Sequence, residues 1–466
     1  MALPNTRFGA EGITKMLAEG KRLWFIGIGG VHMSLMAELA AAKGFAVAGS
    51  DRATGDRIER LARLGISVAF GHRAERVVGA DAVIYTLALS PDNPEYSAAR
   101  HLGIPVISRA DFLSFLMKDH KSRIGVAGCH GKSTVTAMLA EIFTAAGRAP
   151  TVFCGAPLRQ TVGTGRGEVC LFEACEYEDS FLCFSPTLAV ILNVERDHVD
   201  YFASKKQVEQ SFGAFAALAK GGSALVNAED EVALSCVRAS GTSYVTFGVD
   251  VGDIHARDVH FSEGRADFVP VLPSGAEMER VFLRVVGMHN LANAMAALAA
   301  AWMSGIPEKS IVAALGGFRG AGRRMEYRGM LRGARLFDDY AHHPSEIVAT
   351  LTAARQMVGN GRLLAVFQSH TYTRTAAFFS EICAALRLAD RVLIADIYAA
   401  RETDTLGMSA AVLAAGVGDR ATAEGDLAAI ATALGAEVSP GDLVVVMGAG
   451  DIDRIFGEFL GKHFTL

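Results

Sequence analysis

The sequence predicts an α/β fold of parallel sheets, divided into three domains. Three observations carry this. Short apolar runs of strand length alternate with helix-length segments along most of the chain, the pattern of doubly wound sheets. Glycine-rich turns directly follow two of the predicted strands, at residues 27–30 and 128–131. Finally, 466 residues are too many for one core and fit about three domains of roughly 150 residues each.

In the first predicted domain (1–120), strands fall at 22–28, 45–49, 67–70, 82–85 and 105–107, with helices at 33–43 and 110–118. The polar segment Lys118-Asp119-His120-Lys121 marks its end. The second domain (121–319) opens with an apolar strand at 124–127 and a helix at 135–145. It continues with strands at 169–173 and 187–192 and a β-rich insert at about 222–286. A helix at 289–303 and a short segment at 307–315 close it, and the glycine-rich stretch 316–322 reads as a hinge. The third domain (320–466) alternates again, with strands at 335–338, 363–367, 391–395 and 443–447.

Composition narrows the function classes. With 51% hydrophobic and 20% charged residues the chain reads as a globular, well-buried protein. A net charge of −5 gives no global basic field, so neither nucleic acid nor membrane insertion is expected. The N-terminus lacks a charged-then-apolar signal pattern and no long apolar run occurs, so a cytoplasmic location is expected. The seven cysteines form no Cys-x-x-Cys pair, which points to reduced thiols and no structural zinc.

The most specific motif is Gly128-Cys129-His130-Gly131-Lys132-Ser133-Thr134 at a strand-to-helix turn. Glycines let backbone N–H groups crowd around phosphate oxygens, and the helix N-terminus adds a favourable dipole. Lys132 would meet the terminal phosphates and Ser133 a divalent cation. The spacing is irregular, because Val126 stands where a standard nucleotide loop has glycine. In the first domain Gly27-x-Gly29-x-x-His32 follows a strand and Asp51 ends the next. A diphosphate site and a purely structural turn both fit it, since His32 replaces the usual small third residue. Glu173-Ala-Cys-Glu176 and Asn193-Val-Glu195-Arg-Asp197-His198 each end a strand, where α/β sheets gather ligands, and their donors suit Mg²⁺ or Mn²⁺. Asp339-Tyr-Ala-His-His343 and His370-Thr-Tyr-Thr-Arg374 follow strands of the third domain. Adjacent histidines rarely face one ion, so zinc is not expected there. Arg374 reads as a stabiliser of anionic groups.

Together these motifs resemble the Mur ligase family, in its alanine-adding branch, from end to end. The resemblance also rests on Asp92-Asn-Pro-Glu95, His289-Asn290-x-x-Asn293 and Gly322-Arg-Arg324-x-Glu326. It implies a Rossmann-like N-terminal domain for the UDP-sugar, a central P-loop ATPase domain, and a C-terminal Rossmann-like domain closing over ATP and amino acid. It implies ATP-dependent joining of L-alanine to the lactyl carboxylate of UDP-N-acetylmuramate through an acyl phosphate, with Mg²⁺ or Mn²⁺. A monomer or homodimer is expected. Carried over by motif position, Lys132, His198, His343 and Arg374 are the catalytic candidates. ATP would contact Gly128, Cys129, His130, Gly131, Lys132, Ser133, Thr134, Asn290, Asn293, Arg324 and Asp339. The metal would sit on Ser133, Glu173 and His198, and the UDP-sugar on Gly27, Gly29, Gly30 and Asp51.

The chain departs from the family pattern in places. Cys129 stands where Thr is usual, His32 where glycine is usual, and Thr371 where many members have Arg. No lysine lies between Lys206 and Lys220, so the carbamylated lysine of later-acting relatives is not expected. The alternatives are a murein-peptide recycling ligase and, from other classes, an NAD-dependent oxidoreductase fused to a P-loop ATPase or a non-catalytic nucleotide-binding regulator.

Overall fold

The computed structural model describes residues 3–158, 167–400, 402–459 and 464–465. It contains four sheets. The first holds β1 (Arg22–Ile26), β2 (Ala46–Asp51), β3 (Ser67–Phe70), β4 (Ala82–Tyr85) and β5 (Val106–Ser108), in the order β3-β2-β1-β4-β5. All its pairings are parallel. The second holds β6 (Ser122–Ala127), β7 (Thr151–Phe153), β8 (Val169–Glu173), β9 (Leu188–Ile191), β10 (Ser223–Asn227) and β11 (Tyr244–Phe247). Its order is β11-β10-β9-β6-β8-β7, again parallel. A small antiparallel sheet follows, β12 (His255–Ser262), β13 (Arg265–Val271) and β14 (Val281–Val286).

The last sheet holds β15 (Glu326–Leu331), β16 (Ala334–Asp339), β17 (Leu363–Phe367), β18 (Arg391–Ala395), β19 (Ala421–Gly425), β20 (Leu443–Met447) and β21 (Phe464–Thr465). Its order is β19-β18-β17-β20-β16-β15-β21, parallel except that β15 pairs antiparallel with both β16 and β21. Alternation explains its burial. Leu363, Ala365 and Phe367 join one core with Val445 and Met447, while Leu364, Val366, Val444 and Val446 join the core on the opposite face. Strands covered by helices on both faces read as continuous apolar runs, which is why these strands are visible in the sequence.

Contacts divide the chain into two compact units. One comprises Met1–Glu195, Lys206–Phe247 and Ala296–Ile311; the other comprises Arg196–Lys205, Gly248–Met295 and Val312–Leu466. The first carries the five- and six-stranded sheets, the second the remaining two. Among the described residues no helix is long and apolar enough to cross a membrane.

Two expectations need correction. The β-rich insert is not uniform: its first part forms β10, a helix (Glu231–Ser240) and β11, which extend the parallel sheet. That helix is locally encoded, by Asp230 accepting from the Ala233 N–H and by Gly241 at φ 70° as its C-terminal stop. The glycine-rich stretch at 316–322, expected as a hinge, is partly helical and partly buried. A helix (Glu308–Gly317) runs through its first two glycines, and Phe318 and Ala321 are buried.

Candidate active site

β6 is a buried strand whose register against β8 and β9 delivers the next residues to the carboxyl end of the sheet. Gly128 (φ 146°) and Gly131 (φ 85°) then turn the chain into the helix Lys132–Ala145 through backbone angles that side chains resist. The first intrahelical bond is Val135 N–H to Gly131 carbonyl, so the Lys132, Ser133 and Thr134 N–H groups lie at the open helix end. Gly125 has a different role. A Cβ there would meet the Phe172 ring at 2.7 Å, so this glycine serves packing inside β6.

The strand-end motif after β9 braces the loop. The Asn193 side chain accepts from the His130 N–H (3.0 Å) and donates to the His130 carbonyl (3.1 Å). His130 Nε2 donates to Glu195 (3.0 Å), and the Glu195 N–H donates to Cys129 Sγ (3.2 Å). Cys129 therefore couples the loop to the β9 end. Lys132 donates to the Gly128 carbonyl and pairs with buried Glu176 at 3.1 Å. Burial works against its charge, but Glu176, Cys175 and Cys129 outweigh it and raise its pKa. Glu173 ends β8 and accepts from the Gly155 N–H (2.6 Å), while the preceding Cys154 donates to the Ser133 carbonyl (3.6 Å). Ser133 and Glu173 are thus tied to adjacent residues of one short segment.

The glycine turn after β1 belongs to the same unit. Its own N–H groups are largely spent: Gly27 donates to the Ser50 carbonyl (2.8 Å), Gly30 to the Gly27 carbonyl (3.2 Å) and Gly29 to Asp51 Oδ2 (2.8 Å). A Cβ on Gly29 would stand 2.9 Å from that carboxylate oxygen. The donors left open are Val31, His32 and Met33 at the start of the helix Val31–Ala42, whose first internal bond is Ser34 to Gly30. Behind the turn, buried Ser50 donates to Glu95 and meets His72 (2.9 Å), locking the end of β2 to the Asn-Pro-Glu segment.

In the second unit, Asp197 is the hub. It takes two hydrogen bonds from Arg374 (2.7 and 3.2 Å) and one from the His198 N–H (2.7 Å). Burial alone would push its pKa up, but His198, Arg374 and His342 hold it well below the carboxylate range. His198 has φ 47°. Arg374 also reaches His370 (3.3 Å), and burial, with His342 and Arg374 beside it, draws that imidazole down to about 3. His343 opens the helix Pro344–Val358 and donates through Nε2 to the Arg196 carbonyl (3.2 Å). Thr371 (φ 67°) caps the helix that carries Arg374.

At the end of β16, Asp339 accepts from the Met325 N–H (2.7 Å), the Ala341 N–H (2.9 Å) and Thr350 (3.2 Å); burial raises its pKa. Arg323 and Arg324 lie over the Tyr340 ring at 5.1 Å each, and Arg324 faces Glu346 at 3.8 Å. Asn290 donates to the Val286 carbonyl at the end of β14 (2.8 Å), and Asn293 to Asn290 (3.3 Å). The fold therefore gathers the candidates into a phosphate-loop group, a glycine-turn group, and a second-unit group with Asp197 at its centre. Asn193, Glu195, Asp197 and Glu176 take part in the hydrogen-bond framework of these groups, although the sequence assigns them no site role of their own. Their signal is their place in the same strand-end motifs as Glu173 and His198.

Three family models match in order: "Mur ligase family, catalytic domain" over residues 22–121, "Mur ligase middle domain" over 126–301, and "Mur ligase, glutamate ligase domain" over 323–450. The chain is 40% identical to a UDP-N-acetylmuramate–L-alanine ligase of Clostridium tetani, over 94% of this chain and 98% of that protein. It is 39% identical to one of Caldanaerobacter subterraneus, over 96% and 99%. Among solved structures, UDP-N-acetylmuramate-alanine ligase MurC of Thermotoga maritima superposes with a TM-score of 0.78 at 28% identity, covering 94% of this chain and 98% of that one.

Proposed function

The chain belongs to the Mur ligase family, and from that premise we infer that it joins L-alanine to the lactyl carboxylate of UDP-N-acetylmuramate, using ATP, in peptidoglycan precursor synthesis. The observation that carries this is the near full-length likeness to alanine ligases, with Lys132 and its loop intact within it. Domains at 1–120, 121–319 and 320–466 serve the UDP-sugar, ATP, and the closing of the site over ATP and amino acid.

A carboxylate is a poor acyl donor, because its leaving group would be oxide. Its oxygen therefore attacks the γ-phosphorus, the bond from γ-phosphorus to the β,γ-bridging oxygen breaks, and ADP leaves. The amine of L-alanine then attacks the acyl carbon, the C–O bond to phosphate breaks, and the amine nitrogen gives up a proton. Such catalysis is mainly positioning and charge neutralisation. The open N–H groups at the start of the helix Lys132–Ala145 cradle the phosphates, and Lys132 neutralises the terminal ones. Arg374, fixed by Asp197, and His343 would serve the acyl phosphate or the incoming amino acid, while Asn290, Asn293, Arg324 and Asp339 would serve the nucleotide.

The donors fit a hard divalent cation. Glu173 has no ion pair among the described residues and keeps oxygen capacity beyond its one bond from Gly155. Ser133 and Glu173 would hold Mg²⁺ beside the phosphates, with His198 helping to hold a second ion. Magnesium, when bound, supplies charge screening for the attacking and leaving oxygens.

The test is product analysis by mass spectrometry, with ATP, UDP-N-acetylmuramate and competing L-alanine, glycine and L-serine. ADP release requiring both co-substrates, with the L-alanyl product dominant, is expected. A nicotinamide-dependent absorbance change without ATP would overturn the reading.

A further inference from the structure

Among the described residues, Arg109 is a cation without an anion. It opens the helix Arg109–Met117 at the end of β5, while His32 stands in the first turn of the helix after β1. The Arg109 guanidinium donates to His32 Nδ1 at 2.7 Å. Among the described residues that is its one side-chain hydrogen bond, and it has no ion pair. Its partner is neutral: burial, then the Arg109 charge, draw His32 down to about 4 against weaker opposition from Glu173 and the Cys154 backbone. The His32 ring meets Phe153, at the end of β7, edge-on at 6.4 Å. Burial also lowers the pKa of Arg109, with Cys175, Glu173 and Cys183 opposing.

A half-buried guanidinium facing a neutral ring lacks the carboxylate that would offset the cost of its burial. Glu173 is within electrostatic reach of both groups, yet forms no ion pair among the described residues. Among the described residues, a cation without an ion pair and a carboxylate without one thus lie where the ends of the first two sheets meet. This is the arrangement expected if each awaits a different ligand.

We propose that Arg109, oriented by His32, binds the lactyl carboxylate of the UDP-sugar and presents it to the phosphate-loop side of the site. The proposal rests on the ligase reading above. The guanidinium fork matches a carboxylate. The acidic and thiol groups acting on Arg109 come from β8 and the segment following it, beside the phosphate loop. The diphosphate has its own donors in the open N–H groups of Val31, His32 and Met33. His32 is a positioning residue: its Nδ1 fixes the direction of the fork.

Equilibrium binding by calorimetry, comparing UDP-N-acetylmuramate with UDP-N-acetylglucosamine, tests this. The two share nucleotide, diphosphate and sugar, but only the first has the carboxylate. Arg109→Gln is expected to weaken UDP-N-acetylmuramate by more than about tenfold and leave UDP-N-acetylglucosamine within about twofold. In turnover it raises KM for the UDP-sugar and lowers kcat while KM for ATP stays constant. Arg109→Lys, which keeps the charge and loses the fork, falls between, and carries the test should the Gln variant not fold. His32→Ala weakens UDP-N-acetylmuramate less, and adds nothing on the Arg109→Gln background. Equal weakening of both sugar nucleotides would assign Arg109 to the diphosphate, and no weakening would make it structural; either overturns the proposal. Failure of the wild-type protein to bind either sugar nucleotide would instead defeat the ligase reading, and this inference with it.

Discussion

Lys132 illustrates how one side chain carries both activity and stability. It neutralises phosphate charge in the proposed reaction and meanwhile pairs with Glu176, whose side chain is 1% exposed. Lys132→Met should lower kcat about 10²–10³-fold, the usual cost of removing one electrostatic stabiliser. It should also lower the melting temperature, because buried Glu176 loses its lysine partner. Lys132→Met with Glu176→Gln should regain the melting temperature without regaining turnover, as read by calorimetry beside the ADP assay. His32 makes a pH prediction. Its folded pKa lies below its unfolded one, so the unfolded chain binds more protons between about pH 6.5 and 4. The stability tied to neutral His32 is therefore complete above pH 6.5 and is lost as pH falls through that window. His32→Asn should flatten the fall in melting temperature between pH 6.5 and 4; an unchanged slope would contradict the assignment.

At the scale of elements, β6 and its loop show how packing and binding divide between neighbouring glycines. Gly128 and Gly131 hold left-handed backbone angles, whereas Gly125 makes room for Phe172 and Phe215. Gly125→Val should destabilise by about 1–3 kcal/mol through overpacking. A lower melting temperature with KM for ATP nearly unchanged in the surviving folded enzyme is the expected signature. The irregular spacing noted in the sequence is thereby explained, since the first glycine belongs to the strand and not to the loop. Strands covered on both faces were legible as apolar runs. β15 and β19 were not, because Glu326-Tyr-Arg-Gly-Met-Leu331 and Ala421-Thr-Ala-Glu-Gly425 mix polar and apolar residues and sit toward the sheet edges.

At the scale of the molecule, ligand linkage offers a further check. Mg²⁺-ATP at about a hundredfold over its Kd should stabilise the folded protein by roughly 2.7 kcal/mol. A chelator should remove that increment and the ligase activity together, and added Mg²⁺ or Mn²⁺ should restore both. Persistence of full activity in excess chelator would rule out the metal assignment to Ser133, Glu173 and His198.

The α/β class, the phosphate loop and the chemistry-bearing strand ends are legible from the residues alone, because each is written in local patterns: apolar runs, glycine turns, and polar residues at fixed offsets. Which of those residues support one another emerges from the folded chain instead. Asn193 bracing His130, Cys129 meeting Glu195, and Asp197 fixing Arg374 across 177 positions join residues far apart in the chain. So does the contact between Arg109 and His32, which local spacing does not encode. Side-chain partnership depends on how strands are ordered in a sheet, and that order is set by packing between elements rather than within them.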